Sequence, residues 1–351
     1  MKIYHVIGLM SGTSLDGLDI CYVKFELPSL QFEVLAAQTI NYSDEWILKL
    51  KNSIHLSGLE LTKLDVDYGF YLGQKVNEFI QKNQIETVDL IASHGHTVFH
   101  NPKEFYTLQI GNGAAVFAET NLKTICDFRT QDVALGGQGA PLVPIGDELL
   151  FGEFDACLNL GGFSNISFKK ANQRIAFDVS PLNIVLNFLA EKSGLKYDEN
   201  GNLARKGKIN QNLLDELNSL EFYKMNPPKS LGIEFCIEQI FPLIEVSDLS
   251  NEDLLATFTE HFAQQIAQIF HQNQLKNVLI TGGGAKNQFL IEKLKSFSKT
   301  EIVVPEEKIV DFKEALVFAL MGILKNENQI NVLQSVTGAK KNHSSGIIFQ
   351  N

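Results

Sequence analysis

The alternation of apolar and polar positions divides the chain into two halves that follow one plan. The first half opens with two apolar runs, Ile3 to Val6 and Ile20 to Val23, on either side of a polar segment rich in glycine. This pattern predicts strand, turn, strand. Further strands are predicted at residues 34–40, 88–92, 107–110 and 124–126. Helical spacing of apolar residues predicts helices at 44–54, 61–83 and 114–119.

The second half repeats the strand, glycine turn, strand and third strand. The strands are predicted at residues 156–160, 166–168, 175–177, 278–280 and 302–304. The helices are predicted at residues 183–193, 208–218, 250–272, 287–297 and 314–324. Three strands followed by alternating helices and strands indicate a mixed sheet covered by helices. We therefore predict an α/β fold of two related domains, 1–124 and 125–351, with a cleft between them.

Composition narrows the class of protein. The 351 residues are 44% hydrophobic and 20% charged, which is typical of a globular chain with two domains. The formal net charge of −11 argues against non-specific nucleic-acid binding, which depends on a basic surface. The four cysteines are scattered through apolar runs, so buried thiols are favoured over metal ligands. No apolar run approaches the roughly 18 residues of a membrane span. We therefore predict a cytoplasmic protein with no membrane or nucleic-acid partner.

Three glycine turns are candidates for binding phosphate. In such turns, backbone N–H groups can approach an anion closely, and Ser or Thr adds short donors. A plain hairpin turn explains the first of them equally well. None is a Walker P-loop, because no Gly-Lys-Ser/Thr follows. The candidate residues are Ser11, Gly12, Thr13, Ser14, Asp16, Gly17 and Asp19 in the first turn, Gly161, Gly162 and Asn165 in the second, and Gly282, Gly283, Gly284 and Asn287 in the third.

Polar residues that could contact a small substrate cluster in two segments of the first half. His94, Gly95 and His96 follow a predicted strand, where α/β sheets place ligands. Hydrogen bonding to a small ligand explains them better than metal chelation, because no third ligand stands near in sequence. Arg129, Asp132 and Gln138 lie in the segment 127–144. Arg129 is a planar cation suited to a carboxylate, although an ion pair with a neighbouring Asp explains it equally well.

As longer strings, these segments resemble one family. The run GLMSGTSLDGLD, beginning at Gly8, resembles the opening signature of the anhydro-N-acetylmuramic acid kinases, which belong to the actin-like/sugar-kinase ATPase superfamily. The resemblance extends to the second and third glycine turns, to residues 127–144 and to segments near the C-terminus. It implies two actin-like, ribonuclease-H-like domains. The implied cofactors are ATP and Mg²⁺, and the implied partner is a small amino-sugar substrate. The sequence indicates no metal ligands, and a homodimer is compatible with it.

The resemblance also implies a catalytic base. The family pattern Asp-Thr-Gly-Pro-Gly-Asn corresponds here to Asp178-Val179-Ser180-Pro181-Leu182-Asn183. Asp178 would take a proton from the water that opens the 1,6-anhydro bond, while the freed O6 receives the γ-phosphoryl group of ATP. The product would be N-acetylmuramic acid 6-phosphate, an intermediate of cell-wall recycling.

The chain departs from the family pattern at several positions that the resemblance places near the sugar acceptor. Ser180 and Leu182 replace glycines, Leu231 and Ile233 replace Thr and Arg, and His96 replaces Gln. These changes leave two alternatives open, a related kinase with another sugar acceptor and a nucleotide-sensing protein without turnover.

Overall fold

The computed structural model describes residues 2–13 and 15–351, so Ser14 of the first turn lies outside the described residues. The strands are β1 (Lys2–Ser11), β2 (Leu18–Leu27), β3 (Gln31–Ile40), β4 (Leu90–Asn101), β5 (Tyr106–Ile110), β6 (Thr124–Cys126), β7 (Ala156–Leu160), β8 (Phe163–Lys170), β9 (Gln173–Pro181), β10 (Asn277–Thr281), β11 (Glu301–Val303) and β12 (Ile347–Phe349).

The helices vary from single turns to 25 residues. They are α1 (Asp44–Lys51), α2 (Gly58–Lys82), α3 (Gly113–Thr120), α4 (Thr130–Ala134), α5 (Pro144–Leu149), α6 (Asn183–Lys192), α7 (Gln211–Ser219), α8 (Glu221–Lys224), α9 (Ile233–Phe235), α10 (Phe241–Glu245), α11 (Asn251–Gln272), α12 (Gln288–Phe297), α13 (Glu307–Asn326) and α14 (Gln334–Thr337). A π-helical turn, Cys236–Ile240, joins α9 to α10.

The two longest helices begin where the sequence provides caps. Ser57 and Glu60 form a capping box for α2, in which each side chain accepts the other residue's amide. At the start of α11, the Ser250 side chain accepts the amide of Asp253. Local sequence therefore determines where both helices begin.

Two sheets with the same central order confirm the predicted α/β class. The first runs β12-β6-β4-β1-β2-β3, with β5 paired to β4, and the second runs β11-β10-β7-β8-β9. In each sheet the opening three strands pair antiparallel, and the first of them pairs parallel with the next strand along the sheet. Both sheets are therefore mixed, and the internal duplication predicted from the strand pattern is present.

The chain divides into two compact units at places other than the predicted boundary at residue 124. The first unit comprises residues 1–150 and 312–351, and the second comprises 151–311. The reason is pairing between distant segments, because β12 lies antiparallel to β6 and so returns the C-terminus to the first sheet. The spacing of apolar residues does not predict that a C-terminal strand pairs with the first sheet.

Each unit has its own hydrophobic core. In the first, side chains from β1, β2 and β4 pack with α2, and Tyr68 and Phe79 are among the largest buried residues. In the second, the strands from β7 to β10 pack with α6, α11 and α12. Cys21, Cys157 and Cys236 are buried free thiols, as predicted, and Cys126 is half-buried. Within the described residues, no helix is long and apolar enough to cross a membrane.

Candidate active site

The first glycine turn lies at the C-terminal end of β1. Among the described residues, the amide N–H groups of Gly12 and Thr13 donate to no protein acceptor, so they are available to an anion. Asp16 is exposed and Gly17 is buried beside β3. Asp19 lies in β2 and accepts a hydrogen bond from Thr39 Oγ1 at 2.5 Å. The main chain of this turn, more than its side chains, therefore suits phosphate.

Ser11 uses its hydroxyl group inside the first unit. The residue is 2% exposed, and its Oγ lies 2.7 Å from the Tyr42 hydroxyl and 3.1 Å from His96 Nδ1. Ser11 and His96 are register partners on the parallel strands β1 and β4. The predicted strand 88–92 extends to Asn101, because β5 pairs with its second half, so His94, Gly95 and His96 lie inside β4 and not after it.

Arg129 connects β4 to the loop that follows α4. Its Nε donates to His94 Nε2 at 2.9 Å, and its Nη1 donates to the Gly139 carbonyl at 2.5 Å. Because Arg has no acceptor, His94 carries its hydrogen on Nδ1 and donates it to the Gly95 carbonyl at 2.8 Å. Burial lowers the pKa of Arg129 to about 10 and lowers that of His94 well below its usual range. Nη2 makes no hydrogen bond among the described residues, and the charges of Glu314 and Asp132 oppose the effect of burial on the Arg129 pKa.

Asp132 and Gln138, predicted to bind substrate, are placed differently from Arg129. Asp132 is fully buried and accepts hydrogen bonds from the Gly139 amide at 2.7 Å and from the Thr337 hydroxyl at 2.8 Å. Gln138 is exposed, and its amide N–H donates to the Thr337 carbonyl at 2.7 Å. Asp132 thus holds the loop together, and Gln138 presents its side chain to solvent.

The second and third glycine turns meet in the second unit. A Cβ at Gly282 would lie 2.5 Å from Asn159 Oδ1 and 2.9 Å from the Leu160 carbonyl, and φ is +83° there, so only glycine fits. A Cβ at Gly284 would lie 2.8 Å from Leu160 Cβ. The turn after β10 therefore packs directly on the turn after β7.

These two turns leave amide N–H groups without a protein acceptor. Among the described residues, the amides of Gly161, Gly162, Gly283 and Gly284 donate to no protein acceptor. The carbonyls of Gly161 and Gly162 are occupied by amides of residues 182–184. No atom lies within 4 Å of a Cβ built on Gly162. The arrangement has the free donors and the space that a phosphate chain needs.

Asn165 and Asn287, the two amides predicted to bind nucleotide, lie at the edges of these turns. Asn165 is paired with Asp178 across β8 and β9. Asn287 caps α12, where its side chain accepts a hydrogen bond from the Leu290 amide at 3.1 Å.

The main chain of residues 229–231 holds Asp178 in place. Its amide donates to the Lys229 carbonyl at 3.1 Å, and its Oδ2 accepts the Leu231 amide at 2.8 Å. Burial raises the pKa of the Asp178 carboxyl above its usual value, although the Leu231 N–H acts in the opposite direction. No partner among the described residues occupies Oδ1. Asp178 therefore presents one fixed oxygen to its own unit and keeps one for a ligand, as a general base requires.

The two residues that replace glycines near Asp178 are accommodated without left-handed backbone. Neither Ser180 nor Leu182 has a positive φ. Ser180 Oγ lies 2.9 Å from Ser164 Oγ, and Leu182 is fully buried, with its Cδ2 close to Gly284. The segment thus does not require glycine torsions.

Sequence reasoning did not assign contacts to four residues that shape these sites. Tyr42, which precedes α1, donates to Ser11, and Tyr68 of α2 contacts Tyr42. Lys229 and Leu231 contact Asp178 through their main chains. Their partners are tens of residues away in sequence, and no local pattern reports such contacts.

Comparison with known proteins gives the family. The family model described as "Anhydro-N-acetylmuramic acid kinase" matches residues 4–351. The chain belongs to this family. The anhydro-N-acetylmuramic acid kinase of Haemophilus influenzae is 36% identical, with 99% of this chain and 98% of that protein covered. The enzyme of the same name from Bacillus thuringiensis strain Al Hakam is 33% identical, with 97% of each covered. The predicted resemblance is confirmed.

Among solved structures, the chain is similar to component A of (R)-2-hydroxyglutaryl-CoA dehydratase from Acidaminococcus fermentans. The TM-score is 0.49 and the identity 11%, with 90% of this chain and 96% of that chain covered.

Proposed function

We propose that this member of the anhydro-N-acetylmuramic acid kinase family is an ATP-dependent kinase acting in the cytoplasm on the anhydro sugar itself. It hydrolyses the 1,6-anhydro bond and phosphorylates O6, giving N-acetylmuramic acid 6-phosphate for cell-wall recycling. The observation that carries the proposal is Asp178, a desolvated carboxylate with one oxygen fixed by Leu231 and the other available.

Asp178 acts as the general base. Its Oδ1 accepts a proton from a water molecule, whose oxygen bonds to the anomeric carbon as the C1–O6 bond breaks. The freed O6 takes the γ-phosphoryl group of ATP, and ADP leaves. The raised pKa of Asp178 strengthens it as a base, and the Leu231 N–H keeps the carboxylate in one orientation.

The glycine turns hold the phosphates of ATP. The free amides of Gly161, Gly162, Gly283 and Gly284 in the second unit suit an anion in a protein whose overall charge repels one. Within the first unit, the free amides of Gly12 and Thr13 have the same property. The Ser11 hydroxyl is engaged by Tyr42 and His96, so it does not contact phosphate in this proposal.

Mg²⁺ would be held mainly by phosphate oxygens and water. No cluster of three metal-ligating side chains occurs within residues 2–13 and 15–351. Magnesium sites on nucleotides commonly need only one or two protein carboxylates, and exposed Asp16 beside the first turn can provide one. The ion would offset negative charge on the phosphates.

Arg129 and its neighbours recognise the sugar. Nη2 of Arg129 makes no hydrogen bond among the described residues, although the charges of Glu314 and Asp132 act on the guanidinium. A muramic sugar carries a lactyl carboxylate that a guanidinium fork fits. His94 orients that guanidinium by accepting its Nε–H.

The reaction is tested by the mass of the product. The purified protein is incubated with ATP, Mg²⁺ and the anhydro sugar, with N-acetylmuramic acid and N-acetylglucosamine as comparison substrates. We expect a phosphorylated product that has also gained one water, formed only from the anhydro sugar. A phosphorylated product that retains the anhydro bond would overturn the hydrolytic step. The absence of product from the anhydro sugar would overturn the assigned substrate.

A further inference from the structure

A continuous chain of hydroxyl groups runs through the first unit and ends on His96. The Tyr68 hydroxyl lies 2.6 Å from the Tyr42 hydroxyl, which lies 2.7 Å from Ser11 Oγ, which lies 3.1 Å from His96 Nδ1. Tyr68 is fully buried and the other three residues are at most 6% exposed. Four side chains from separate segments thus form one hydrogen-bonded line.

The direction of the hydrogens in this line follows from its buried hydroxyls. The Tyr68 hydroxyl contacts that of Tyr42 and also interacts with that of Ser11, so its hydrogen has an acceptor inside this group. Tyr42 donates its own hydrogen to Ser11. The Ser11 oxygen is thus an acceptor for tyrosine, and the acceptor in line for the Ser11 hydrogen is His96 Nδ1. Burial raises the pKa of Tyr42 and of Tyr68, so both hydroxyls keep their hydrogens at neutral pH.

This order determines the state of the imidazole. A nitrogen that accepts the Ser11 hydrogen carries none of its own, so the neutral ring has its hydrogen on Nε2. Burial lowers the pKa of His96 to about 4, which excludes the doubly protonated ring at neutral pH. Nε2 has no protein partner among the described residues and is not one of the solvent-inaccessible unpartnered atoms. The one donor at the end of the chain is therefore open to a ligand.

We propose that Tyr68, Tyr42 and Ser11 are positioning residues that hold His96 as a neutral hydrogen-bond donor, and that His96 Nε2–H selects an acceptor oxygen of the sugar. The proposal rests on the proposed function for the identity of the ligand, whereas the state of the ring is a property of the free protein. His96 selects against a donor group at that place, because two donors leave each other unpaired.

The same geometry explains how histidine serves where the family pattern has glutamine. A glutamine amide offers an N–H donor on a side chain of comparable reach, and the imidazole keeps that donor. It omits the carbonyl acceptor that glutamine also carries. His96 therefore keeps the donor contact and accepts a narrower range of ligand groups than glutamine would.

The first test reads the tautomer directly. The free protein is labelled with ¹⁵N-histidine, and long-range ¹H–¹⁵N correlation spectra are recorded near neutral pH, with His96→Gln identifying the His96 signals. We expect one ring with Nε2 protonated and Nδ1 unprotonated and hydrogen-bonded. A ring protonated on Nδ1, or a mixture of both tautomers, would overturn the proposal whatever the protein phosphorylates.

The second test separates the donor from the shape of the side chain. His96→Gln and His96→Met have similar volumes, but only Gln retains a donor. We expect His96→Gln to keep the KM for the anhydro sugar within about threefold of wild type and His96→Met to raise it about tenfold or more, in line with one lost hydrogen bond. The KM for ATP should not change in either. Equal effects of Gln and Met would overturn the donor role.

The relay itself is tested with a matched pair of tyrosines. Tyr42→Phe removes the hydroxyl that donates to Ser11, and Tyr22→Phe removes a hydroxyl that donates to the Thr87 carbonyl at 2.7 Å elsewhere in the same unit. We expect Tyr42→Phe to shift the His96 Nδ1 resonance and raise the KM for the sugar, and Tyr22→Phe to do neither. Loss of thermal stability alone in Tyr42→Phe would reduce Tyr42 to a packing residue and overturn the relay. A correct tautomer in a protein that gives no phosphorylated sugar would count against the proposed function instead.

Discussion

Replacing Asp178 by Asn and by Ala separates proton transfer from the anchoring of the segment 229–231. Asn keeps an oxygen that can accept the Leu231 amide at the present 2.8 Å, but it takes no proton from water at neutral pH. Ala removes both the base and the anchor. Both variants therefore lose the proton acceptor, and they differ in whether the hydrogen bond from the Leu231 amide is kept.

The expected magnitudes follow from that difference. Loss of a general base costs about 10²–10⁴-fold in kcat, which is about 2.7–5.4 kcal/mol of transition-state stabilisation. Asn should show this loss alone. Ala should add a loss of about 1 kcal/mol in the free energy of unfolding, because the Leu231 N–H is left without its acceptor.

The stability of Asp178→Asn should depend on pH in a defined direction. The pKa of Asp178 is raised in the folded protein, so its contribution to stability is present below the usual value of 3.8 and is lost as pH rises through the folded pKa. At neutral pH the ionised group thus carries a cost that Asn removes. Asp178→Asn should melt at or above the wild-type temperature at neutral pH, and the gap should narrow as pH falls towards 3.8.

Turnover is followed by ADP release and by the mass of the sugar product, and stability is followed by thermal melting with and without ATP. Asp198→Asn is a matched control, because Asp198 is another buried carboxylate of the second unit and accepts the amides of Leu203 and Ala204 at 2.8 and 2.9 Å. It should lose stability and keep kcat. Turnover of Asp178→Asn within a few-fold of wild type would refute the reasoning, and Asp16 would be the next carboxylate to test.

Two further predictions concern binding, and a third concerns stability. Gly162→Val should fold normally, because its Cβ meets no atom within 4 Å, yet lose most of the ATP-induced rise in Tm, whereas Gly284→Val should lower the Tm of the free protein as well. An unchanged ATP shift in Gly162→Val would remove this turn from the nucleotide site. Arg129→Lys should raise the KM for the sugar about tenfold or more and leave the KM for ATP nearly unchanged. The reason is that an ammonium cannot keep the contact to His94 and also face a carboxylate. Equal loss of both affinities would assign Arg129 a purely structural role. Asp132→Asn should lower the free energy of unfolding, measured with denaturant, by about 1–3 kcal/mol. The reason is that either the Gly139 amide or the Thr337 hydroxyl loses its acceptor. Wild-type stability with a raised KM for the sugar would show that Asp132 binds substrate.

Local patterns predicted the strands and turns well, because each depends on residues close together in sequence. The opening hairpin of each half appears as β1 with β2 and β7 with β8. The domain boundary was not predictable in this way. The return of the C-terminus to the first unit depends on Ile347–Phe349 pairing with Thr124–Cys126, and a three-residue strand so far from its partner has no signature of its own.

The candidate sites show the same limit. The glycine turns were visible in sequence because close backbone approach restricts residue type locally. The hydrogen-bond partners that determine the protonation and orientation of the side chains were not visible in sequence. Ser11, Tyr42, Tyr68 and His96 are each separated by more than twenty residues, and their order along one hydrogen-bonded line emerges only when β1, α2 and β4 pack together.

The departures from the family pattern around Asp178 change packing more than they change polar contacts. Leu231 replaces a residue with a hydroxyl, yet its backbone N–H makes the bond to Asp178, and any non-proline residue supplies that donor. Ser180 directs its hydroxyl to Ser164 on the neighbouring strand and not to the base. Leu182 fills space against Gly284, where a glycine would leave a void for other side chains to occupy. Ser180 and Leu182 are thus absorbed by the second unit's own core, whereas Ile233 is exposed. Asp178 Oδ1 has no partner among the described residues. The altered segment therefore gives no support to a protein without turnover.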